Sequence, residues 1–166
     1  FGVKYKDESL LKHGDLSTLS FHATKIYNTF EGGAIVCPDA KTKARIDDLK
    51  NFGYNGEVNV VGTGINAKMN EVQSAFGLLQ LKHIDQAMER RQSIDTQYRQ
   101  ELSGMAGIFC PSLPEDTTYN YAYYPILVEK EYPITRDELN NKMRQQGIFP
   151  RRYFYPLISE FPMYRG

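Results

Sequence analysis

One lysine, Lys25, has surroundings that could make it a nucleophile. It follows a short apolar segment, and the glycine pair Gly32 and Gly33 comes shortly after it. An amine withdrawn from water favours its neutral form, and a neutral amine can attack an aldehyde to form a Schiff base. Because glycine has no Cβ, the pair lets the backbone turn tightly or approach a ligand closely. The pattern is one in which Lys25 could carry amine chemistry, and the alternative is a solvated surface lysine, as most lysines are.

Other side chains that could bind a ligand lie beside this lysine and towards the end of the sequence. Ser20 and His22 precede the lysine, and Glu31 follows it. The alternative interpretations are a serine bonded to local backbone, a packed histidine and an acid that stabilises a turn. Arg151 and Arg152 could bind phosphate groups, because a guanidinium matches phosphate oxygens. The alternative for this pair is two exposed arginines near an edge strand.

Strand and helix signals indicate how these residues are held. Residues 16–21 and 34–37 are short apolar segments bounded by Gly, Asp and Pro, which predicts two strands. Lys25 would then lie in their connection. Residues 39–52 predict a helix with Asp39 as its N-terminal cap.

A longer helix is predicted to begin near Asn70. Gln73 lies three residues later, so the two side chains could cap each other's backbone in a capping box. Apolar residues recur at helical spacing beyond this point, and the polar run at residues 89–92 interrupts them. We expect a bend near that run, and we divide the chain into a larger-domain part, 1–88, and a small domain, 89–166.

The last part of the chain predicts a small α+β arrangement. Residues 119–129 have the alternation of a strand. Thr135 and Glu138 form a second capping box, which opens a helix to about residue 146. Residues 148–155 predict a further extended segment that prolines weaken.

The composition indicates a soluble globular protein and argues against several classes. Of the 166 residues, 41% are hydrophobic, and 20 basic side chains balance 20 acidic ones. This balance gives no positive field for nucleic acid or an anionic membrane, and no apolar run reaches the roughly 20 residues of a membrane span. Cys37 and Cys110 lie far apart without metal-ligand spacing, so we expect free thiols and no metal site.

Three segments together resemble the DegT/DnrJ/EryC1/StrS family of nucleotide-sugar aminotransferases. Residues 20–25 (SFHATK), followed by residues 31–34 (EGGA), resemble the segment that carries the family's cofactor lysine. Residues 64–73 (GINAKMNEVQ) resemble the family segment that precedes a long helix. Residues 151–156 (RRYFYP) resemble a third family segment, which lies near the end of this chain. The resemblance implies an α/β fold: the C-terminal part of a fold-type-I large domain, then a small α+β C-terminal domain.

The resemblance also implies a role for each candidate residue. Lys25 would form the Schiff base with pyridoxal 5'-phosphate (PLP) and then carry the proton between substrate and cofactor. Ser20 would hydrogen-bond the cofactor phosphate. Asn66 would reach the active site of a neighbouring subunit, which implies a homodimer with shared sites. Substrate contacts are expected from four residues: His22, Glu31, Arg151 and Arg152.

The implied reaction transfers an amino group from an amino acid, expected to be glutamate, to a keto sugar carried on a nucleotide diphosphate. The substrate expected from residues 27–31 (YNTFE) and the closing segment is dTDP-4-dehydro-6-deoxyglucose. Such an enzyme would serve deoxysugar biosynthesis for lipopolysaccharide O-antigen and would be cytoplasmic.

Two alternatives stay open at this point. A PLP-dependent sugar dehydratase belongs to the same family, but those members carry histidine where Lys25 stands, so the lysine favours transamination. The other alternative is a non-catalytic fragment or binding module. The chain begins without methionine, and the family segment that supplies the acid for the pyridine nitrogen is absent. We therefore expect a C-terminal fragment that is inactive in isolation and binds PLP weakly or not at all.

Overall fold

The computed structural model describes residues 1–165, which contain four α-helices and nine short β-strands. The helices are α1 (Ala40–Lys50), α2 (Glu71–Leu81), α3 (Ile84–Leu102) and α4 (Arg136–Gln145). The strands are β1 (Lys4–Tyr5), β2 (Glu8–Ser9), β3 (Ser17–Ser20), β4 (Gly33–Val36), β5 (Tyr54–Asn55), β6 (Asn59–Val60), β7 (Ile108–Phe109), β8 (Thr117–Thr118) and β9 (Leu127–Val128). This mixture of helices and strands agrees with the predicted class.

The described chain divides into two compact units. The first unit comprises Phe1–Tyr98 and Ser112–Tyr124, and the second comprises Arg99–Pro111 and the described residues from Pro125 onwards. The division falls within α3, later in this helix than the boundary predicted from the sequence. The assignment of 1–88 and 89–166 to two domains stays a prediction.

Short antiparallel pairings make up the sheets. In the first unit β1 pairs with β2 and β8, and β5 pairs with β6; in the second unit β7 pairs with β9. Strands β3 and β4 also pair, in a register that runs from Ser17 opposite Val36 to Ser20 opposite Gly33. The two predicted strands are confirmed, and the connection between them is residues 21–32, here called the lysine loop.

Two of the predicted helix starts are confirmed with their caps. Asp39 opens α1, and its carboxylate accepts a hydrogen bond from the Thr42 N–H at 2.7 Å. At α4 the predicted capping box is complete. The Glu138 N–H donates to the Thr135 hydroxyl at 3.3 Å, and the Thr135 N–H donates to the Glu138 carboxylate at 2.8 Å.

The long helix predicted from Asn70 differs in two respects. Asn70 caps α2 as expected, since its side-chain oxygen accepts the Gln73 N–H at 2.9 Å. The predicted reciprocal bond is wrong: the Gln73 side-chain oxygen does not accept the Asn70 N–H, and the side-chain NH2 group donates to the carbonyl of Glu31. The helix also breaks at residues 82–83 rather than near 89–92, so α2 and α3 are separate.

The two long extended segments predicted towards the C-terminus are mostly wrong. Of residues 119–129, only Leu127–Val128 forms a strand. Tyr121 has a left-handed backbone, with φ of 49°. The Arg91 guanidinium donates to the Tyr121 and Ala122 carbonyls at 3.2 and 3.4 Å, in place of a neighbouring strand. Residues 148–155 form no strand either.

The core of the first unit surrounds the lysine loop. Ile26 and Tyr27 of the loop are buried together with Ile84, the first residue of α3. Phe21 and Met88 pack against this cluster. The loop that carries the candidate nucleophile is therefore also the centre of the packing.

Candidate active site

The lysine loop is closed on itself by backbone hydrogen bonds. The Phe21 N–H donates to the Gly32 carbonyl at 2.8 Å, which continues the β3–β4 ladder by one step. The Thr29 N–H donates to the Phe21 carbonyl at 2.9 Å, and the Ala23 N–H donates to the Phe30 carbonyl at 2.7 Å. Because the two ends of the loop are joined in this way, the segment between them has a fixed backbone.

Buried side chains hold the loop from inside. Thr29 is only 1% exposed, and its hydroxyl donates to the Glu31 carbonyl at 2.7 Å. The Tyr27 ring stacks on Phe1 with centroids 4.7 Å apart and meets the edge of Phe21 at 4.8 Å. These contacts fix the positions that immediately follow the lysine.

Lys25 itself is half-buried on a bonded turn. Its N–H donates to the His22 carbonyl at 2.9 Å, and its carbonyl accepts from the Asn28 side-chain amide at 3.2 Å. Within residues 1–165 its ammonium has no hydrogen-bond or ion-pair partner. A side-chain nitrogen on a fixed backbone, without such a partner in these residues, is available to react with, or bind, a ligand.

Ser20 and His22 flank the entry to the loop. Ser20 ends β3, and its exposed oxygen accepts the His22 N–H at 3.4 Å, so its own O–H stays able to donate. The His22 Nδ1 accepts the Thr24 N–H at 3.2 Å, which places the proton of the neutral ring on Nε2. That nitrogen lies 3.6 Å from the Glu31 carboxylate. The structure thus gathers four predicted site residues in one segment.

Asn66 occupies a different place in the same unit. It is exposed and forms an isolated antiparallel bridge with Asn51, just after α1. Its neighbours fix this placement, since the Ile65 and Ala67 N–H groups donate to the carbonyls of Leu49 and Lys50, each at 2.9 Å. Within residues 1–165 no hydrogen bond joins Asn66 to the lysine loop.

Arg151 and Arg152 lie in the second unit and differ from each other. Arg151 is exposed. Arg152 lies 3.4 Å from the Asp137 carboxylate and 4.1 Å above the Tyr155 ring, and Arg136 contacts the same two groups at 2.8 and 5.0 Å. The hydrogen bond from Arg136, with a smaller one from Arg152, holds the pKa of Asp137 below its usual value. Arg152 is therefore largely occupied within the chain.

Sequence reasoning missed residues that support the site. The sequence predicts only a capping role for Gln73, yet its side-chain amide donates to the Glu31 carbonyl at 3.0 Å. No prediction from the sequence includes Gly77, which is buried in α2 against Tyr27 and Thr29. A glycine inside an apolar helical stripe was the signal that could have found this contact, since glycine weakens a helix unless close packing requires it.

Metal and membrane features are absent from the described part of the chain. Across residues 1–165 no group of three or more His, Cys, Asp or Glu side chains could hold a metal ion. None of the helices described above is both long and apolar enough to cross a membrane. Cys37 and Cys110 are free thiols.

Curated relatives match almost the whole chain. A dTDP-4-amino-4,6-dideoxy-D-glucose transaminase of Shigella dysenteriae is 52% identical over 164 residues, which are 99% of this chain and 45% of the relative. A transaminase of the same name from Escherichia coli is 50% identical over 137 residues, 82% of this chain and 37% of the relative. The chain thus spans less than half the length of these relatives.

Solved structures show the same backbone arrangement. DesI, crystallised in the presence of its TDP-sugar product, is 32% identical with a TM-score of 0.89, over 99% of this chain and 42% of that one. DesV of S. venezuelae, solved in complex with a ketimine intermediate, is 26% identical with a TM-score of 0.87, over 98% of this chain and 43% of that one.

A family model matches the chain along its whole length. The match covers residues 1–166, and the segment with Lys25 lies inside it. The resemblance inferred from residues 20–25, 64–73 and 151–156 is thereby confirmed. The chain belongs to the DegT/DnrJ/EryC1/StrS aminotransferase family.

Proposed function

We propose that this chain is the part of a PLP-dependent nucleotide-sugar aminotransferase that supplies the active-site lysine. One observation carries the proposal. Lys25 stands half-buried, without a counter-ion in residues 1–165, on a loop closed by its own hydrogen bonds, in a chain that matches an aminotransferase family throughout. Reactive lysines need such a fixed, partly desolvated position.

The donor groups around Lys25 fit PLP. The cofactor needs an amine for its aldehyde and hydrogen-bond donors for its phosphate. Lys25 offers the amine, and the exposed O–H of Ser20 at the end of β3 offers a donor. When bound, PLP supplies an electron sink that makes the substrate α-proton acidic.

Proton transfer is the further task of Lys25 in this proposal. Once substrate is bound, the Nζ atom takes the proton from the α-carbon of the amino donor and later delivers a proton to the sugar carbon that receives nitrogen. A flexible surface amine would do this poorly. The backbone bonds of Lys25 to His22 and Asn28 hold its Cα in place while the side chain moves.

Substrate contacts are proposed for four residues. His22 presents Nε2–H towards solvent beside Glu31, so the pair could bind a sugar hydroxyl. Arg151, which is exposed, is better able than Arg152 to bind a diphosphate, because Asp137 and Tyr155 already engage Arg152.

The sugar and the donor are also proposals. The two relatives near 50% identity carry the name dTDP-4-amino-4,6-dideoxy-D-glucose transaminase. We therefore propose dTDP-4-dehydro-6-deoxyglucose as the amino acceptor and glutamate as the donor. Deoxysugar supply to O-antigen and a cytoplasmic location extend this proposal. Lys25 favours transamination over the dehydratase alternative.

For the whole enzyme we propose a fold-type-I arrangement and a homodimer. The placement of Asn66, exposed and fixed against α1 without a hydrogen bond to the lysine loop in residues 1–165, is compatible with a residue that serves a second subunit. In that assembly the Asn66 amide would help to hold the cofactor phosphate of the neighbouring site.

The test uses a chimaera in which this chain replaces the matching 45% of the Shigella relative. The protein is incubated with PLP, reduced with borohydride and digested. We expect the pyridoxyl mass on the peptide that contains Lys25, and no such adduct in Lys25→Ala. The matched control is Lys82→Ala, an exposed lysine after α2, which should leave the adduct unchanged. An adduct that survives Lys25→Ala contradicts the proposal.

Activity is then followed with dTDP-4-dehydro-6-deoxyglucose and glutamate, with the amino sugar detected by mass. The isolated 166-residue chain is tested in parallel. We expect no visible cofactor band from it; a band that disappears in Lys25→Ala would show that this part binds PLP unaided.

A further inference from the structure

Helix α2 packs its N-terminal half against the lysine loop. The Gln73 side-chain amide donates to the Glu31 carbonyl at 3.0 Å, a contact between positions 42 apart in sequence. One turn further along, the Phe76 ring stacks on Phe30 with centroids 4.4 Å apart. The helix therefore satisfies a loop carbonyl and contacts a loop side chain at the same time.

Gly77 makes this approach possible. It is buried in the interior of α2, where glycine lowers helix stability relative to alanine. A Cβ at this position would lie 2.7 Å from the Tyr27 hydroxyl oxygen and 2.9 Å from the Thr29 Cγ2. Both distances are shorter than atoms of a side chain can accept, so even a methyl group would displace the loop or the helix.

Gly32, at the end of the loop, is packed equally closely. Gly32 has φ of 147°, and a Cβ there would lie 2.5 Å from the Thr29 hydroxyl and 2.7 Å from the Met69 Cε. Met69 directly precedes the residue that caps α2. Residues 69–77 and the second half of the loop thus form one interlocked contact.

We propose that Gln73 and Gly77 are positioning residues for Lys25, an inference that rests on the proposed role of Lys25 as the cofactor lysine. Tyr27 and Thr29, against which Gly77 packs, follow Lys25 closely on a loop whose backbone is fixed. A rigid helix pressed on these residues sets the direction from which the amine approaches its ligand. Gln73 fixes the far end of the same loop through the Glu31 carbonyl.

The first test needs no cofactor and uses the 166-residue chain. Lysines are acetylated briefly, and the extent at Lys25 is compared by mass with that at exposed Lys4. We expect Gly77→Ala to speed labelling of Lys25 about tenfold by forcing the loop open. The exposed-face variant Ala75→Ser should leave the ratio unchanged.

A rescue variant separates positioning from general instability. Tyr27→Phe removes the hydroxyl, and Thr29→Ser removes the Cγ2 while keeping the hydroxyl that bonds to Glu31. Added to Gly77→Ala, these two changes make room for the methyl group and should return Lys25 labelling to the wild-type ratio. Labelling that stays at the wild-type ratio in Gly77→Ala, or that the rescue does not reduce, overturns the proposal.

Gln73 is tested in the PLP-loaded chimaera. Gln73→Met keeps the side-chain length but removes the donor, and Gln86→Met, on the exposed face of α3, is its control. We expect Gln73→Met to slow borohydride trapping at Lys25 about tenfold and to shift the pH at which the visible band titrates, with an unchanged melting temperature. A lower melting temperature, with no change in the pH at which the visible band titrates, would show that Gln73 has a merely structural role.

The two proposals fail in different ways. If the wild-type chimaera gives no adduct at Lys25, the proposed function fails, while acetylation of the 166-residue chain still tests the packing. If the adduct forms and neither Gln73→Met nor Gly77→Ala alters Lys25, the positioning inference fails alone.

Discussion

The neighbours of Lys25 within residues 1–165 fix its backbone and leave its side-chain nitrogen unpaired. The backbone N–H of Lys25 donates to the His22 carbonyl, and its backbone carbonyl accepts from the Asn28 side-chain amide. In the described residues no counter-ion pairs with its side chain. The nearest carboxylate of the loop, Glu31, instead lies 3.6 Å from the His22 ring. The arrangement keeps the acid of the loop on the histidine and leaves the amine for a ligand.

Asp39 provides a prediction about pH. Hydrogen bonds from Thr42, the backbone N–H above all, hold the pKa of Asp39 below its usual value. A carboxyl with a depressed folded-state pKa contributes stability above its unfolded pKa, and that contribution is lost as pH falls through the folded pKa. We expect the urea concentration at the unfolding midpoint to decrease when the pH is lowered below about 4. The decrease should be smaller in Asp39→Asn, because asparagine caps the helix without titrating.

Circular dichroism of urea titrations between neutral and acid pH measures this effect. Glu138→Gln is a second variant of the same kind, because the Thr135 N–H lowers the pKa of Glu138 and glutamine also completes a capping box. Equal acid sensitivity in wild type and both variants would contradict the assignment of these carboxylates as titrating caps.

Among the elements, those with local signals were predictable. Asp39 before α1 and the Thr135–Glu138 box before α4 are side chains that bond to backbone within three residues, so the sequence contains both partners of each bond. The strands on either side of the lysine loop were also predictable, because their apolar runs end at clear turn signals.

Elements that depend on distant partners were not predictable. Residues 119–126 have the composition of a strand, but an arginine from α3 bonds to their carbonyls and Tyr121 adopts a left-handed backbone. Gln73 likewise bonds across 42 positions to Glu31 instead of capping its own helix. Local pattern cannot reveal a partner that the fold brings from far away in sequence. The same reason explains why the sequence predicts the candidate site residues of one loop but not the α2 residues that contact that loop.

Arg91 gives a test at this level. Arg91→Met removes the donors to the Tyr121 and Ala122 carbonyls and leaves them part-buried without a charged partner. We expect a loss of about 1.5–3 kcal/mol in the free energy of unfolding, the range for hydrogen bonds to charged groups. Urea denaturation measures it, with the neighbouring exposed Arg90→Met as control, for which we expect less than about 0.5 kcal/mol. Equal losses in both variants would show that Arg91 does not hold this segment.

Across the described residues many large hydrophobic side chains are exposed. Within the described residues only three hydrophobic side chains are buried, whereas α2 leaves Val72 77% and Leu78 67% exposed. Large apolar side chains that one helix leaves exposed are candidates for a surface that other protein covers. This exposure supports the proposal that the active enzyme needs a further part and a second subunit.

The proposed sharing of the site between two subunits yields the last prediction. In the chimaera, Lys25→Ala and Asn66→Ala each damage both sites of a homodimer if Lys25 and Asn66 of one site come from different subunits. In a mixed dimer, one site then carries both substitutions and the other carries neither. Equal mixing after dissociation therefore restores roughly a quarter of wild-type activity, because half of the dimers are mixed and each has one intact site. The borohydride adduct at Lys25 is followed in parallel as a readout of the cofactor.

Recovery must depend on subunit exchange, so the same two variants mixed without dissociation are the control and should show only the sum of their separate activities. The second control is the double variant mixed with wild type under dissociation. If the site is shared, the two substitutions of the double variant fall in different sites of a mixed dimer, so neither site of that dimer is intact. If Asn66 instead served the Lys25 of its own chain, the mixed dimers would gain no intact site from two singly substituted chains, and the wild type mixed with the double variant would keep one. The activity of the first mixture divided by that of the second is about one if Asn66 serves the neighbouring subunit, because wild-type homodimers keep the second mixture at roughly a quarter. If Asn66 serves its own chain, the ratio falls to the residual activity of Asn66→Ala, so the comparison uses an Asn66 variant whose homodimer is strongly impaired.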